Sequence, residues 1–233
     1  MTTRGGVTTA RVVSLVPSVT ESLLAWGVRP IAITRFCEQS GFTTVGGTKD
    51  PDVGAIVALA PDLVVMNDEE NRRADADALD AAGIEVHVTH VHSLDDVGPC
   101  LGALAGALGI AREFPLTPHL VSAGARRAFV PIWRRPWMTI NADTYGASLL
   151  SALGIETVFA TASERYPTVA LDDAFAQGPN LVLLPSEPYP FTERHIAELG
   201  HLALDVRLVD GRDLFWWGTR TPDALGRLAN VLR

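Results

Sequence analysis

An α/β fold of two Rossmann-like lobes with parallel sheets is predicted by three observations. Short apolar runs alternate with helix-like segments along the chain, several of those segments close at a glycine, and two blocks of sequence recur in the same order in both halves. Strands alternating with helices point to parallel pairing, because two parallel strands need a long crossover and a helix supplies it.

The first strand is expected over residues 11–16 (RVVSLV), an unbroken apolar run of the kind that is covered on both faces. After Pro17, Ser18 and Glu21 have the S-x-x-E spacing of a capping box, Leu23, Leu24 and Trp26 give an apolar face, and Gly27 stops the helix. Residues 62–66 (DLVVM) read as a strand, 69–82 as a helix closed by Gly83, and 84–90 as a strand. Ser93 with Asp96 opens a helix running towards Gly109. In the second half, residues 137–140 read as a strand, and Asp143 or Thr144 caps a helix that Gly154 ends. Strands follow at 180–184 and 206–209, a helix opens at Thr192, and Thr221 with Pro222 opens the last one.

The recurrence is specific in order. Residues 22–28 (SLLAWGV) return as 148–155 (SLLSALGI) with one insertion, and 60–66 (APDLVVM) return as 178–184 (GPNLVLL). Two matches in one order favour two similar lobes. Their join is expected between residues 110 and 135, where Pro115, Pro118, Pro131 and Pro136 break regular patterns.

The 233 residues are 47% hydrophobic and 20% charged, the balance of a folding globular chain. A formal charge of −8 gives nucleic-acid phosphates no general attraction. The basic doublets Arg126-Arg127 and Arg134-Arg135 read as solvated surface. Cys37 and Cys100 form no CxxC pair and suggest neither a disulfide framework nor a thiol zinc site. The first residues carry only a short apolar burst before Pro17, without the apolar core of an export signal, and no stretch is long enough to span a bilayer. The expected location is the cytoplasm, with no membrane insertion; the alternative is the periplasm or cell surface if the native N-terminus is missing.

Ligand sites in α/β folds sit on loops beyond strand ends. Five turn-like segments qualify: residues 34–40, 46–52, 67–71, 185–191 and 211–220. With Tyr166, they carry Phe36, Tyr189, Phe191, Phe215, Trp216 and Trp217 among Lys49, Asp68, Glu69, Glu187 and Arg220. Neighbours on a strand point opposite ways, so Trp216 and Trp217 cannot both face one core from a strand. Either one indole forms a stacking wall for a flat or large ligand, or both pack locally.

His87, His90 and His92 invite a metal reading in which His90 and His92 share a face if the strand continues, with Cys37 or Glu69 as supplementary ligands. Surface or rim histidines are the competing reading. Ser18 lacks a G-x-S-x-G elbow and is accounted for by capping, and no GxxxxGK[ST] or GxGxxG follows a strand.

The segments RVVSLVPSVTESLLAWGV, VGGTKDPDVGAIVALAPDLVVMNDEEN, ALDAAGIEVHV, TYGASLLSALGIETVF, RYPTVALDDAF and LLPSEPYPF resemble the helical-backbone (class III) ABC-transporter substrate-binding proteins. Within that family the chain looks most like the branch of cobalamin-binding or helical backbone metal receptor proteins. The resemblance implies an N-terminal α/β lobe (1–110), an inter-lobe linker helix (111–135) and a C-terminal α/β lobe (136–233), with a ligand cleft between the lobes. It places cleft aromatics at Phe36, Tyr166 and Trp216, with Thr48 and Asn67 where the family has two more. It also implies an ABC-transporter permease as partner, docked through one acid per lobe. The matching positions are Asp172 and the uncharged Gly54, with Asp52 or Asp173 as possible substitutes.

Together these readings predict non-catalytic binding of a bulky small molecule, a corrinoid such as cobalamin, haem or a ferric siderophore, with no intrinsic cofactor. The ligand-binding residues expected are Phe36, Lys49, Asn67, Glu69, Tyr166, Glu187, Tyr189, Trp216, Trp217 and Arg220. One alternative is direct divalent-metal binding through His90 and His92. Another is a cleft enzyme with Glu69 or Glu187 as general base.

Overall fold

The computed structural model describes residues 3–4, 7–8, 10–114, 126–199 and 204–232. The first half carries β1 (Thr3–Arg4), β2 (Val7–Thr8), β3 (Val12–Ser14), α1 (Pro17–Ala25), β4 (Ala32–Ile33), β5 (Thr43–Thr44), α2 (Val53–Ala58), β6 (Leu63–Asn67), α3 (Arg73–Ala81), β7 (Val86–Thr89) and α4 (Leu94–Ala107). The second carries β8 (Arg126–Phe129), β9 (Trp137–Met138), α5 (Tyr145–Ala152), β10 (Ile155–Thr157), β11 (Thr168–Val169), α6 (Leu171–Ala176), β12 (Leu181–Pro185), α7 (Glu193–Leu199), β13 (Asp205–Val209), α8 (Gly211–Phe215) and α9 (Thr221–Val231).

Two separate parallel sheets result. One has the order β5-β4-β3-β6-β7 and the other β10-β8-β12-β13, with every neighbouring pair parallel. Val12, Val13, Val64, Val65, Leu183 and Leu184 are wholly buried, as expected of inner strands with helices on both faces. The chain divides into two compact units, one of Met1–Val91, Asp95–Pro115 and Trp217–Thr219, the other of His92–Leu94, Leu116–Trp216 and Arg220–Arg233. The α/β, two-lobed, parallel-sheet expectation holds.

The sequence repeat maps onto a repeated topology. In the first unit β3 leads through α1 to β4 on one side, and the chain then returns to β6 and β7 on the other. In the second, β8, α5, β10, β12 and β13 take the same places. The SLLAWGV and SLLSALGI blocks are α1 and α5 with their exits, and APDLVVM and GPNLVLL lead into β6 and β12. What differs is the step from the first strand to its helix. β3 passes into α1 almost at once, whereas residues 130–144 lie between β8 and α5.

That insertion explains two corrections. Residues 126–129, expected in the linker, form β8, paired to β10 and β12 with Ala128 and Phe129 wholly buried. Arg127 is exposed as expected, and Arg126 pairs with Asp205 at 2.5 Å and donates to the Leu232 carbonyl at 2.9 Å. Trp137–Met138 is not a strand of the parallel sheet but a two-residue ladder antiparallel to β11. Of the rest of the expected linker helix, residues 111–114 are non-helical and 115–125 lie outside the described residues.

The start of the first helix is also corrected. Pro17 is the first helical residue and Val16 the cap, so Ser18 sits inside the first turn and makes no capping bond. The fixed φ of proline is preorganised for that first position, and it sets the helix start ahead of the serine. Elsewhere capping is local and measurable. Asp52 accepts the Ala55 N–H at 2.9 Å at the start of α2, and Asp52→Ala is expected to lower stability by about 1 kcal/mol in a denaturant titration.

At the edge strand β13, hydrogen bonds from Arg207 and then from Arg126 hold the Asp205 carboxyl below its ordinary range, against partial desolvation. The native pKa is the lower one, so the stabilisation is complete above the unfolded carboxyl pKa, near 3.8, and is lost as pH falls from there through the native value. Acid titration of Asp205→Asn should show a shallower loss of stability below about pH 4 than the parent.

Candidate functional site

In open parallel sheets the chain's reversal of direction leaves a crevice outside the carboxyl ends of the strands on either side of it. Here those strands are β3 and β6 in one unit and β8 and β12 in the other. The five loop segments singled out in the sequence all follow strand carboxyl ends.

In the first unit, the loop after β6 is held by amides. Asn67 Nδ2 donates to the Thr89 carbonyl (3.1 Å) and faces its hydroxyl (3.3 Å), while Asn67 Oδ1 accepts the N–H groups of Glu69 (3.0 Å) and Glu70 (3.1 Å). Asn71 accepts the Asn67 N–H at 2.7 Å and donates to the carbonyls of Leu15 (3.3 Å) and Thr48 (2.9 Å). Asn67 is 4% exposed, with its amide hydrogen-bonded within the loop. Lys49 donates to the Glu69 carbonyl at 2.5 Å, tying the 46–52 turn to that loop. The turn itself needs Gly46, at φ +86, where a Cβ would stand 2.5 Å from the Asp50 carbonyl oxygen. Phe36 is 54% exposed, beside an Arg35 guanidinium 5.0 Å from its ring and anchored on Asp50 at 2.9 Å. A cavity of about 420 Å³ in the same unit lies among Met66, Ala76 and Val88, with Asp68, Arg72 and His90 on its walls.

In the second unit, Tyr166 is 37% exposed. Glu187 and Tyr189 are half-buried in the loop after β12, where Ser186 Oγ accepts the Gly211 N–H at 3.0 Å. Gly211 is required there, since a Cβ would lie 2.5 Å from the Glu187 carbonyl oxygen. Trp216 is half-buried, with the Arg220 guanidinium 5.5 Å from its ring centroid. Arg220 is fixed in turn by Asp213 (2.9 Å), which also takes two bonds of 2.7 Å from Arg227. Trp217 belongs to the first unit and is 4% exposed. Beside it, the Thr219 N–H donates to Ser22 Oγ at 3.1 Å. Of the two indoles, Trp216 is partly exposed and Trp217 is packed.

The histidines of the metal reading have other partners in the structure. β7 ends at Thr89, so His90 and His92 do not continue a strand face. His90 Nδ1 lies 3.1 Å from Asp68 Oδ2, whereas each ring nitrogen of His92 stands 3.0 Å from a guanidinium nitrogen of Arg165, a cation where a metal ion would have to sit. Cys37 Sγ faces the hydroxyls of Thr20 (3.3 Å) and Thr34 (3.5 Å), and burial pushes the Cys100 thiol up to about 11. Among the described residues no group of three or more His, Cys, Asp and Glu is placed to hold a metal ion. Ser18, explained in the sequence by capping, is instead buried with a hydroxyl that has no hydrogen-bond partner.

Asp172 is exposed in the first turn of α6 beside Asp173, and Gly54 is exposed in α2. Asp52 is taken up by capping α2. No helix among the described residues is long and apolar enough to cross a membrane.

One aromatic was missed in the sequence. Trp133, between Pro131 and Pro136 in the stretch read as linker, is 44% exposed and lies edge-on to Tyr189 with ring centroids 5.6 Å apart. Its signal was present in the WRRPW string but was masked by the prolines around it.

No family model matches the chain. It is 24% identical over 190 residues to a vitamin B12-binding protein of Salmonella choleraesuis, covering 75% of this chain and 71% of that one. Among solved structures, it matches the periplasmic vitamin B12-binding protein of Vibrio cholerae with a TM-score of 0.79, 19% identity and 96% of both chains covered. It matches a periplasmic haem-binding protein of Pseudomonas aeruginosa with a TM-score of 0.76, 18% identity, and 94% and 91% covered. The resemblance read from the sequence is borne out by these homologues and by the shared fold.

Proposed function

We propose that this chain, a homologue of the vitamin B12-binding proteins with the fold of ABC-transporter substrate-binding proteins, is a non-catalytic receptor for a bulky small molecule: a corrinoid, haem or a ferric siderophore. The observation that carries the reading is that Phe36, Tyr166 and Trp216 all stand in loops outside the two parallel sheets and keep part of their surface accessible. Exposed aromatic faces on rigid loops supply affinity by stacking, at little cost in side-chain entropy. Lys49, Glu69, Glu187, Tyr189 and Arg220 are the polar and aromatic neighbours expected to orient the ligand. Glu69 and Glu187 stand on different units, and the reading gives neither a role as general base.

A thermal-shift screen of the full chain tests this. A ligand present at 100 times its Kd should add about 2.7 kcal/mol of stability. A clear upward shift with cyanocobalamin, hemin or a ferric siderophore is expected. A shift with zinc or another divalent ion alone would favour the metal alternative instead.

The same reading assigns Asp172, exposed on α6, to docking on a transporter permease. The solved relatives are described as periplasmic, which supports an exported location over the cytoplasmic one. Cell fractionation should then recover the protein outside the cytosol, and recovery in the cytosol would restore the cytoplasmic expectation.

A further inference from the structure

We infer that Trp133 is a further ligand-contacting and specificity-determining residue, a preformed stacking platform in the second unit for a macrocycle with a broad conjugated face. The inference rests on the receptor reading above and deepens it by choosing between ligand classes.

The platform begins with topology. β8 is an inner strand with β10 and β12 on its two sides, and its carboxyl end is the crevice position of this unit. In the first unit the chain enters α1 directly at the equivalent point, whereas here residues 130–144 are inserted and carry Trp133. The tight turn that holds it is closed by backbone bonds, with Ile132 N–H donating to the Met138 carbonyl at 2.8 Å and Met138 N–H to the Trp133 carbonyl at 3.2 Å.

The indole is also backed from one side. Tyr189 meets it edge-on at 5.6 Å and 79°. Tyr189 is fixed in turn by Phe191 at 4.7 Å and by the buried His195 at 5.7 Å. His195 Nδ1 accepts the Thr192 N–H at 2.9 Å, which pins the loop that carries both aromatics. Edge-on packing fixes an indole while leaving ring surface uncovered, and 44% of the Trp133 residue remains exposed.

A large apolar ring held rigid and left open is prepaid for stacking, because little freedom remains to be lost on binding. The partner it suits is a flat or gently curved π-surface, found in porphyrins and corrins. A hydroxamate iron chelate offers no such face.

The test uses the full chain, with Trp133→Ala and Trp133→Phe beside Trp216→Ala. Kd is measured by absorbance titration with hemin and with cyanocobalamin, by thermal shift with ferrichrome, and melting temperature without ligand. Trp133→Ala is expected to raise the Kd of whichever macrocycle the parent binds by about tenfold or more, with Trp133→Phe recovering most of it. Melting temperature should hold in both, and any ferrichrome binding should be indifferent to residue 133. Unchanged macrocycle affinity in Trp133→Ala, with Trp216→Ala weakened, would overturn the inference and leave the receptor reading standing. So would a loss that phenylalanine does not restore and that comes with a lowered melting temperature, since that marks a structural ring. A parent that binds neither macrocycle would end the inference, and the receptor reading too if ferrichrome also fails to bind.

Discussion

Trp216→Ala and Trp217→Ala are expected to fail in opposite ways. Trp217 is 4% exposed, so its truncation leaves a cavity and should lower stability by about 3–5 kcal/mol. Trp216 is half-buried, its ring facing the Arg220 guanidinium at 5.5 Å, so truncation removes stacking surface more than packing. If the indole is a hot spot, the loss is about 2 kcal/mol of binding, roughly thirtyfold in Kd. The check is to measure the unfolding midpoint and ligand affinity for each variant separately. Loss of stability in both, with affinity otherwise intact, would return both indoles to the core and remove Trp216 from the site.

Asp213→Ala is expected to have an effect as large as that of Trp217→Ala. The Asp213 carboxylate is 5% exposed and takes bonds from Arg220 and Arg227, three of them at 2.7–2.9 Å. Removing it leaves two guanidinium groups facing each other, one of them in a side chain only 13% exposed. Taking one partner from a buried ion pair costs about 3–5 kcal/mol, because the remaining charge has lost its compensation while still out of water. Arg220 also loses the anchor that holds it over Trp216, so ligand affinity should fall together with melting temperature. Arg227→Met separates the two effects: Arg227 is half-exposed and its removal leaves the Arg220–Asp213 pair in place, so this variant should lower stability modestly and spare affinity. A melting temperature unchanged in Asp213→Ala would contradict the structural role.

The features legible in the sequence were those with local causes. Strand-helix alternation and the paired SLLAWGV and APDLVVM blocks revealed two lobes because hydrophobic period and glycine stops are written within each segment. β8 is hard to read because it opens with Arg126-Arg127, while the strands that pair with it, β10 and β12, lie far along the chain. Asn67 is legible as a strand-end residue at a position where the resemblance gives the family an aromatic. Its hydrogen bonds reach Thr89 and, through Asn71, Leu15, contacts that no local pattern contains. The histidines leave two readings open in the sequence, because their spacing is regular while the strand that would align His90 and His92 stops at Thr89. Trp133 was hidden among prolines that correctly signalled irregular backbone, yet irregular backbone at the end of an inner strand is where a site residue is to be expected.

Non-catalytic retention of a macrocyclic or chelated ligand is the central claim, and one measurement addresses it directly. The purified chain is incubated with cyanocobalamin, hemin or a ferric siderophore, passed through gel filtration, and the ligand released by denaturation and weighed by mass spectrometry. The expected result is that at least one of them co-elutes with the protein and is recovered chemically unchanged. Failure of all three to co-elute, or recovery of a ligand altered in mass, would contradict the receptor account.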